Sequence, residues 1–350
     1  ANKLMDNPNL KVHPNDHVNK CQSSNDVIPT VIHITVYEQT IKKLIPALKL
    51  LQGAFKKKAD EYKDVVKTGR THLMDAMPMT FAQEISGWEG QIAASVERIF
   101  YALSPLLKLA LGGTAVGTGV NAHPEFAQRA IQIILEHTGF LFQETDNHFF
   151  AQSCLDNIVG LSSQLKTTAS GLLKIANDLR WLNSGPIGGI GEIKLPALQQ
   201  GSSIMPGKIN PVICESVMMV CSQVMGNDVT VSIANSHGNF QLLVMLPVIA
   251  YNVLNSIEIL SNSISILAKK CVMNLKVIRE VMEETVEKNP ILVTLIAPVI
   301  GYEKAAIIAK KAYAEDRNIR DVILEMTRLS SEQLDKIFEP IKMTRGGIIK

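Results

Sequence analysis

The sequence has few aromatic residues, few charges and little net charge. Phe, Trp and Tyr make up 5% of the 350 residues, too few for the stacked aromatic surfaces that bind single-stranded nucleic acid. The formal net charge of +2 provides no long-range attraction to nucleic acid or anionic membranes. Charged residues make up 19% and hydrophobic residues 46%, which excludes a mainly disordered chain. We therefore expect a folded protein with no nucleic-acid partner.

The cysteines also lack a pattern. They are odd in number, and no C-x-x-C pair occurs, so neither a disulfide framework nor a structural zinc site is expected. A reducing compartment fits best, and we expect the cytoplasm, or the mitochondrial matrix if the source is eukaryotic. The first residues show no secretory pattern and no initiator Met, so we expect a processed or truncated piece. The five cysteines are Cys21, Cys154, Cys214, Cys221 and Cys271.

One stretch is apolar enough to raise the question of a membrane span. Between Glu215 and Glu258 the only charged residue is Asp228, and residues 240–251 are strongly apolar. A spanning helix needs about 20 predominantly apolar residues, and here a glutamine, a proline and two asparagines interrupt the run. We expect a helix buried in a large assembly rather than in lipid.

Helical periodicity dominates the chain. Apolar residues from Ile41 to Phe55 recur at helical spacing with lysines on the other face, and Pro46 should kink that helix. Long helices imply a bundle, and clean strand patterns are scarce. After Val277 the pattern changes to short amphipathic helices. Four further long helices are predicted over residues 80–109, 150–182, 211–225 and 238–268.

A polar, glycine-bounded run carries the strongest chemical signal. Residues 201–211 read G-S-S-I-M-P-G-K-I-N-P. The glycines allow backbone N–H groups to approach an anion, Lys208 and Asn210 add a charge and a donor, and Ser202 or Ser203 offers a hydroxyl that could act as a base. The spacing excludes a P-loop, and no nucleophile elbow is present. The alternative is a flexible surface loop.

Two further groups could take part in acid–base chemistry. Residues 69–76 read G-R-T-H-L-M-D-A, and His72 beside Thr71 is expected at a loop–helix junction as an acid or base. A hydrogen-bonded structural histidine is the alternative. Glu215 lies five residues beyond Asn210. It would matter if it meets His72 in space, where it could orient the ring and stabilise its charged form.

The N-terminal region is rich in polar side chains. Residues 12–19 read V-H-P-N-D-H-V-N, and residues 22–26 read Q-S-S-N-D. The H-x-x-x-H spacing with Asp16 is compatible with a zinc site. However, Pro14 directly after His13 argues against the helix that such a site would need. The second run could cap a helix or present its polar groups to a carboxylate.

Together these blocks resemble the fumarase/aspartase superfamily, whose signature is G-S-S-x-M-P-x-K-x-N-P. Within it, the sequence is most similar to the class II fumarate hydratases. The resemblance covers essentially the whole chain. The supporting runs are residues 13–16, 22–26, 69–72, 112–119, 175–178 with 180–181, 223–228 and 300–306.

The resemblance implies reversible hydration of fumarate to malate, with no metal or organic cofactor. It implies that Ser202 removes the Cβ proton of malate and that His72, paired with Glu215, handles the leaving hydroxyl through water. A proton next to a carboxylate is very weakly acidic, so donors must stabilise the charge that develops. The implied substrate contacts are Ser23, Ser24, Asn25, Thr71, Ser203, Lys208 and Asn210. The implied second anion site is His13, Asn15 and Asp16.

The resemblance also implies an all-α architecture in which four subunits form a twenty-helix core and share active sites between chains. The expected domains are residues 1–22 (a remnant of an N-terminal domain), 23–276 (the helical bundle) and 277–350 (a small helical C-terminal domain). Superfamily members carry a further N-terminal segment with substrate contacts, so activity of this chain alone is an open question.

Two other functions remain open. Aspartate ammonia-lyase differs in using ammonia, and Gln241 leans toward it, whereas Gly207 and residues 121–125 are typical of fumarases. A non-catalytic helical assembly is the other alternative, and retention of the candidate catalytic side chains argues against it. The departures from the family pattern are Cys21 for Ser, Ile187 for Arg and Leu243 for Asn.

Overall fold

The computed structural model describes residues 2–5, 7 and 9–347. The chain divides into two compact units. Unit 1 contains Ala1–Lys49, Ile92–Lys174 and Ser216–Ser265, and unit 2 contains Leu50–Gln91, Ile175–Glu215 and Ile266–Lys350. The expected domain boundaries after residues 22 and 276 stay a prediction.

Helices dominate the described residues, which confirms the all-α prediction. In chain order the α-helices are α1 Ser24–Gln39, α2 Ile45–Glu61, α3 Phe81–Leu103, α4 Phe126–Thr138, α5 His148–Ser153, α6 Asp156–Leu182, α7 Val212–Asn235, α8 Leu246–Ile266, α9 Arg279–Glu287, α10 Ala297–Ile300, α11 Tyr302–Glu315, α12 Ile319–Met326, α13 Ser331–Ile337 and α14 Pro340–Met343. Tighter 3-10 turns cover Asn2–Leu4, Ser104–Leu107, Val272–Asn274 and Pro290–Leu295. Wider π turns cover Pro14–Val18, Thr40–Leu44 and Leu267–Cys271.

The strands are few and short. β1 (Val66–Thr71) and β2 (Met74–Thr80) form an antiparallel hairpin. The remaining strands have two residues each. β3 (Lys108–Leu109) pairs with β4 (Gln143–Glu144), β5 (Ile193–Lys194) with β8 (Lys276–Val277), and β6 (Gly238–Asn239) with β7 (Leu242–Leu243).

The predicted irregularity at Pro46 is present as a widened turn. α1 leads into α2 through the π turn Thr40–Leu44, which ends just before Ile45 and Pro46. Proline lacks an N–H, and its ring crowds the carbonyl four residues earlier. That carbonyl belongs to Lys42, inside the π turn. The helix therefore accommodates the proline by widening the turn that precedes it.

Three predicted helix boundaries are wrong, one because a partner distant in sequence sets it and two because a hairpin or a proline turn lies nearby in the chain. The helix predicted over residues 150–182 is two helices. Leu155 N–H donates to the Asn235 side-chain oxygen at 2.7 Å, and α6 begins only at the next residue. Residues 238–243 form a β-hairpin rather than the start of α8. The helix predicted over residues 80–109 begins one residue later and ends at Leu103, before a 3-10 turn that contains Pro105.

α7 extends ten residues beyond its predicted end at residue 225. Asn227 and Asp228 lie in the extension and are 4% and 2% exposed. Asp228 accepts hydrogen bonds from Ser162 and Lys166 on α6, and Asn227 donates to Ser256 on α8. These polar side chains are satisfied by neighbouring helices, so they do not end the helix.

α7 is the one helix among the described residues that is long and apolar enough to cross a membrane by length and composition. Its most apolar 18-residue window has a mean hydropathy of 1.2, and 39% of that window is buried. Residues 240–251, which stand out in the sequence, are divided between the β6–β7 hairpin and α8.

The chain after Val277 forms short helices, as predicted, and in unit 2 these helices pack around a hydrophobic cluster. It is built around Ile296, Ile308, Val322 and Leu334, all fully buried, and Val66 of β1 joins it. This core supports the base of the β1–β2 hairpin.

Candidate active site

The loop of residues 201–210 is closed at its neck. Gly201 N–H donates to the Lys208 carbonyl at 2.8 Å, and the Asn210 amide donates to the Gly201 carbonyl at 2.9 Å. A Cβ at position 201 would lie 2.5 Å from the Lys208 carbonyl oxygen, so glycine is needed for this approach. The neck brings Ser202, Lys208 and Asn210 onto one small loop.

The Ser202 hydroxyl lies in a backbone environment that favours negative charge. Its Oγ accepts hydrogen bonds from the N–H groups of Ile204 at 3.3 Å and Met205 at 3.1 Å. Hydrogen bonds to the charged form of a group favour that form. The predicted base is therefore placed where an oxyanion is stabilised, while Ser203 is exposed beside it.

Next to this loop, a cavity of about 350 Å³ gathers three of the predicted residues. Lys208, Asn210 and Glu215 line it, and Glu215 lies in the first turn of α7. The cavity also has walls from Asn177 and Arg180 of α6, to which the sequence analysis assigned no role. The two residues are three apart near the end of α6, and this spacing predicts that both side chains lie on one face of the helix.

His72 lies at the tip of the β1–β2 hairpin, so its predicted position at a loop–helix junction is wrong. His72 and Leu73 form the turn, with φ of 54° and 63°. Positive φ at both positions is typical of a type I′ turn, which usually contains Asn or Gly. Thr71 and His72 are exposed. Within the described residues no hydrogen bond or ion pair joins His72 to Glu215, and that pairing stays a prediction.

In unit 1 the polar run of residues 23–26 caps α1. Ser23 and Asp26 form a capping box, which confirms the helix-cap interpretation. Asp26 is fully buried, and it accepts N–H groups from Ser23 at 2.9 Å and from Gly112 and Thr114 at 3.0 Å each. Its carboxylate thus ties the glycine-rich loop of residues 112–119 to the start of α1.

The neighbouring side chains are partly engaged within the chain. The Asn25 amide donates to the Ala115 carbonyl at 2.8 Å, and the Ser24 hydroxyl donates to the Asn25 side-chain oxygen at 3.3 Å. Ser23 Oγ accepts the N–H of Asn25. The role of Ser23, Ser24 and Asn25 as substrate contacts stays a prediction.

A short helical turn does form after His13, contrary to expectation. Pro14 begins the π turn Pro14–Val18, because proline is well tolerated at a first helical position. His13 Nδ1 accepts the N–H of Asp16 at 3.2 Å. No group of three or more His, Cys, Asp or Glu side chains that could hold a metal occurs in the described part of the chain. The anion site at His13, Asn15 and Asp16 stays a prediction.

The departures from the family pattern occupy three different environments. Cys21 has a φ of 64° just before the α1 cap. Ile187 is 98% exposed and Leu243 is fully buried, while Gln241 is exposed in the β6–β7 turn. Leu243 therefore replaces a polar side chain with apolar packing.

Comparison with known proteins agrees with this fold and loop. A protein family described as "Lyase" matches residues 2–226, and one described as "Fumarase C C-terminus" matches residues 292–345. The chain belongs to this lyase family, the fumarase/aspartase superfamily.

Its relatives within the superfamily include class II fumarate hydratases. The chain is 51% identical to that of Xylella fastidiosa, over 96% of this chain and 71% of the relative. It is also 51% identical to fumarate hydratase class II 2 of Pseudomonas aeruginosa, over 97% of this chain and 74% of the relative. The crystal structure of class II fumarase from Schistosoma mansoni matches with a TM-score of 0.93 at 39% identity, covering 97% of this chain and 74% of that one.

Proposed function

We propose that this protein is a fumarate hydratase that adds water reversibly to fumarate and gives L-malate. The observation that carries the proposal is the closed loop of residues 201–210. It holds a serine oxygen against two backbone N–H groups and presents Lys208 and Asn210 from the same neck. The identity to class II fumarate hydratases supports the same reaction.

In the malate-to-fumarate direction, Ser202 acts first as the base. Its oxygen, held as an alkoxide by the N–H groups of Ile204 and Met205, takes the proton from Cβ of malate. The electron pair of the C–H bond moves into the adjacent carboxylate, which becomes an aci-carboxylate dianion. Lys208 and Asn210 stabilise that dianion, because donors aimed at developing charge lower the barrier.

The second step expels the hydroxyl. The electron pair returns to form the C=C bond, the Cα–O bond breaks, and His72 supplies a proton through water so that the hydroxyl leaves as water. Glu215 holds the imidazolium form of His72. Ser203, Thr71, Ser23, Ser24 and Asn25 bind the substrate carboxylates, and His13, Asn15 and Asp16 form a second anion site.

We further propose that the protein is a homotetramer whose active sites combine residues from different copies. Apolar side chains on α7 support this: Met219, Val229 and Ile233 are 71%, 57% and 56% exposed in the single chain. Packing against other copies would cover them without a membrane. We expect one species of four chains by light scattering and no partition into lipid vesicles. Activity that persists after dissociation would contradict shared sites.

The cytoplasm is the compartment we propose, because all five cysteines are free, as expected in a reducing environment. Subcellular fractionation with a cytoplasmic marker tests this.

The deciding experiment supplies fumarate together with ammonium and follows products by proton NMR. Two proteins are assayed side by side: the 350-residue chain and the full-length Xylella fastidiosa relative, of which the chain spans 71%. We expect malate and no aspartate. Aspartate would move the assignment to an ammonia-lyase, and neither product from a verified tetramer would favour a non-catalytic assembly.

A further inference from the structure

Beneath the His72 hairpin lies a cluster of four charged side chains in unit 2. Glu192 is fully buried, and its Oε1 lies 2.5 Å from Arg70 Nη2. Its Oε2 lies 2.9 Å from Lys67 Nζ, within ion-pair distance although without hydrogen-bond alignment. Lys67, 1% exposed, also donates to Glu84 at 2.9 Å. Two cations and two anions therefore balance where an unpaired charge would be costly.

Both cations belong to β1, and a regular strand would not let them meet one carboxylate. Residues 67 and 70 are three apart, so in an ideal strand their side chains point to opposite faces. The β1–β2 register shifts between Thr68 and Arg70, and a bulge of this kind re-aims the side chains that follow it. Gly69 occupies the bulge, where a Cβ would lie 2.6 Å from the Met77 carbonyl oxygen. The bulge thus brings Arg70 and Lys67 to the same buried partner.

Glu192 is itself held at both sides along its backbone. Its carbonyl accepts the N–H of Ile278 at 2.9 Å, and the N–H of the preceding Gly191 donates to the Ser184 carbonyl at 2.9 Å. Ser184 forms part of the wall of the cavity that contains Lys208 and Glu215. The backbone around Glu192 is therefore held in place next to the cavity that contains the predicted substrate-binding groups.

The hairpin tip needs such an anchor. His72 lies two residues beyond Arg70, and both turn residues have positive φ without being glycine. Backbone conformations of this kind cost free energy and persist only when the surroundings impose them. The tip is exposed, so the constraint must come from the strands below it.

We propose that Glu192 is a positioning residue, which acts through Arg70 and Lys67 to fix the hairpin that carries His72. The inference rests on the proposed role of His72 in the reaction. It differs from a purely structural ion cluster in one respect: loss of Glu192 should reduce the rate of folded enzyme, and should do so only while His72 is present.

The first test separates positioning from stability. Glu192→Gln keeps the shape and removes the charge, and we expect kcat to fall by up to about 100-fold. KM should rise by a smaller factor, because Thr71 is the one proposed substrate contact on the hairpin while Lys208 and Asn210 are untouched. Glu192→Gln should also lower Tm, because the buried Lys67 ammonium loses one of its two carboxylate partners. Adding Lys67→Met removes that ammonium, so Tm should recover. The value of kcat should stay low, because Arg70 still lacks its partner. Recovery of kcat together with Tm would overturn the proposal.

A control uses the lysine–glutamate pair at the end of α2. The Lys58 side chain is 7% exposed and donates at 2.8 Å to Glu61, whose side chain is 44% exposed. Glu61→Gln should lower Tm without changing kcat. An equal loss of kcat in Glu61→Gln would mean that removing the carboxylate partner of any buried lysine has this effect, and would contradict the proposal.

The last test shows whether the effect passes through His72. In a His72→Asn background, Glu192→Gln should lower kcat by less than about twofold further, and a full additional loss would overturn the proposal. Amide hydrogen exchange of residues 66–80 gives a readout independent of turnover. It should quicken in Glu192→Gln and not in Glu61→Gln. Unchanged exchange would overturn the positioning role alone, whereas faster exchange in a protein whose parent shows no hydratase activity would overturn the proposed function alone.

Discussion

The two segments of unit 2 that present candidate catalytic residues are built in opposite ways. The hairpin that presents His72 is supported by an ion cluster around the buried Lys67 and Glu192, by a bulge and by part of a hydrophobic core. The loop that presents Ser202 is joined at its neck by two hydrogen bonds and is exposed along residues 203–209. The comparison indicates that one group is held in a fixed position, while the other lies on a segment that can move as substrate enters.

The hairpin and the loop should therefore respond differently to substitution. Changes in the loop should alter the rate with little effect on stability, because few buried contacts depend on it. Changes below the hairpin should alter both, because they disturb buried charges.

The largest expected effect comes from Ser202→Ala. Removing the proposed base should lower kcat by about 1,000-fold, while Tm stays within a degree or two because the hydroxyl is only partly buried. Steady-state kinetics and thermal unfolding measure the two quantities. Ser86→Ala, an exposed position on α3 whose hydroxyl donates to the Gln83 carbonyl one turn earlier, is the control. Unchanged turnover in Ser202→Ala would remove this residue as the base.

Gly201→Ala should show a smaller loss of rate, again without unfolding. The new Cβ would meet the Lys208 carbonyl oxygen at 2.5 Å, so the neck must open and shift Lys208 relative to Ser202. We expect kcat to fall by about 10- to 100-fold. Gly188→Ala, where a Cβ meets nothing within 4 Å, should be neutral. A loss of Tm as large as that of Glu192→Gln would show that the loop is as firmly built as the hairpin.

Asp26→Asn tests a third segment, the start of α1 in unit 1, which should respond to substitution as the hairpin does. The buried carboxylate accepts three backbone N–H groups, whereas an amide directs its own donors at some of them. Loss of these bonds should reduce the free energy of unfolding by about 2–4 kcal/mol and should lower turnover through Ser23, Ser24 and Asn25. Denaturant unfolding is the measurement, with the exposed Asp60→Asn as the control. A change in the free energy of unfolding below about 0.5 kcal/mol would contradict the role of Asp26 in holding residues 112–119 at the start of α1.

Sequence patterns predicted the long helices and the chemical identity of the loop, because both depend on residues close together in the chain. Two of the failures have causes that lie far away in the sequence. α6 begins where Asn235, eighty residues away, accepts an N–H. The His72 hairpin was hidden because Lys67 interrupts an apolar strand, and its partner Glu192 lies 125 residues further along. The burial of a charged residue can be read from a sequence only when its partner is known.

The smallest expected effect concerns pH and contrasts a buried histidine with an exposed one. Burial lowers the pKa of His33 below its model-peptide value of 6.5, partly offset by hydrogen bonds to the carbonyls of Lys108 and Leu106. The unfolded chain takes up a proton near pH 6.5, while the folded chain keeps this ring neutral. Stability from this group is therefore complete above pH 6.5 and is lost as the pH falls from there toward the folded pKa.

His33→Gln should flatten that dependence, since a glutamine amide can still donate to a carbonyl but does not titrate. Tm measured between pH 7.5 and 5.5 should fall less steeply in His33→Gln than in the parent, whereas His137→Gln, exposed on α4, should keep the parent slope. The kcat–pH profile should be the same in the parent and both variants, because neither histidine belongs to the proposed site. An equal slope in all three proteins would mean that His33 takes up its proton without cost, and that α1 is less firmly packed around it than its 6% exposure indicates.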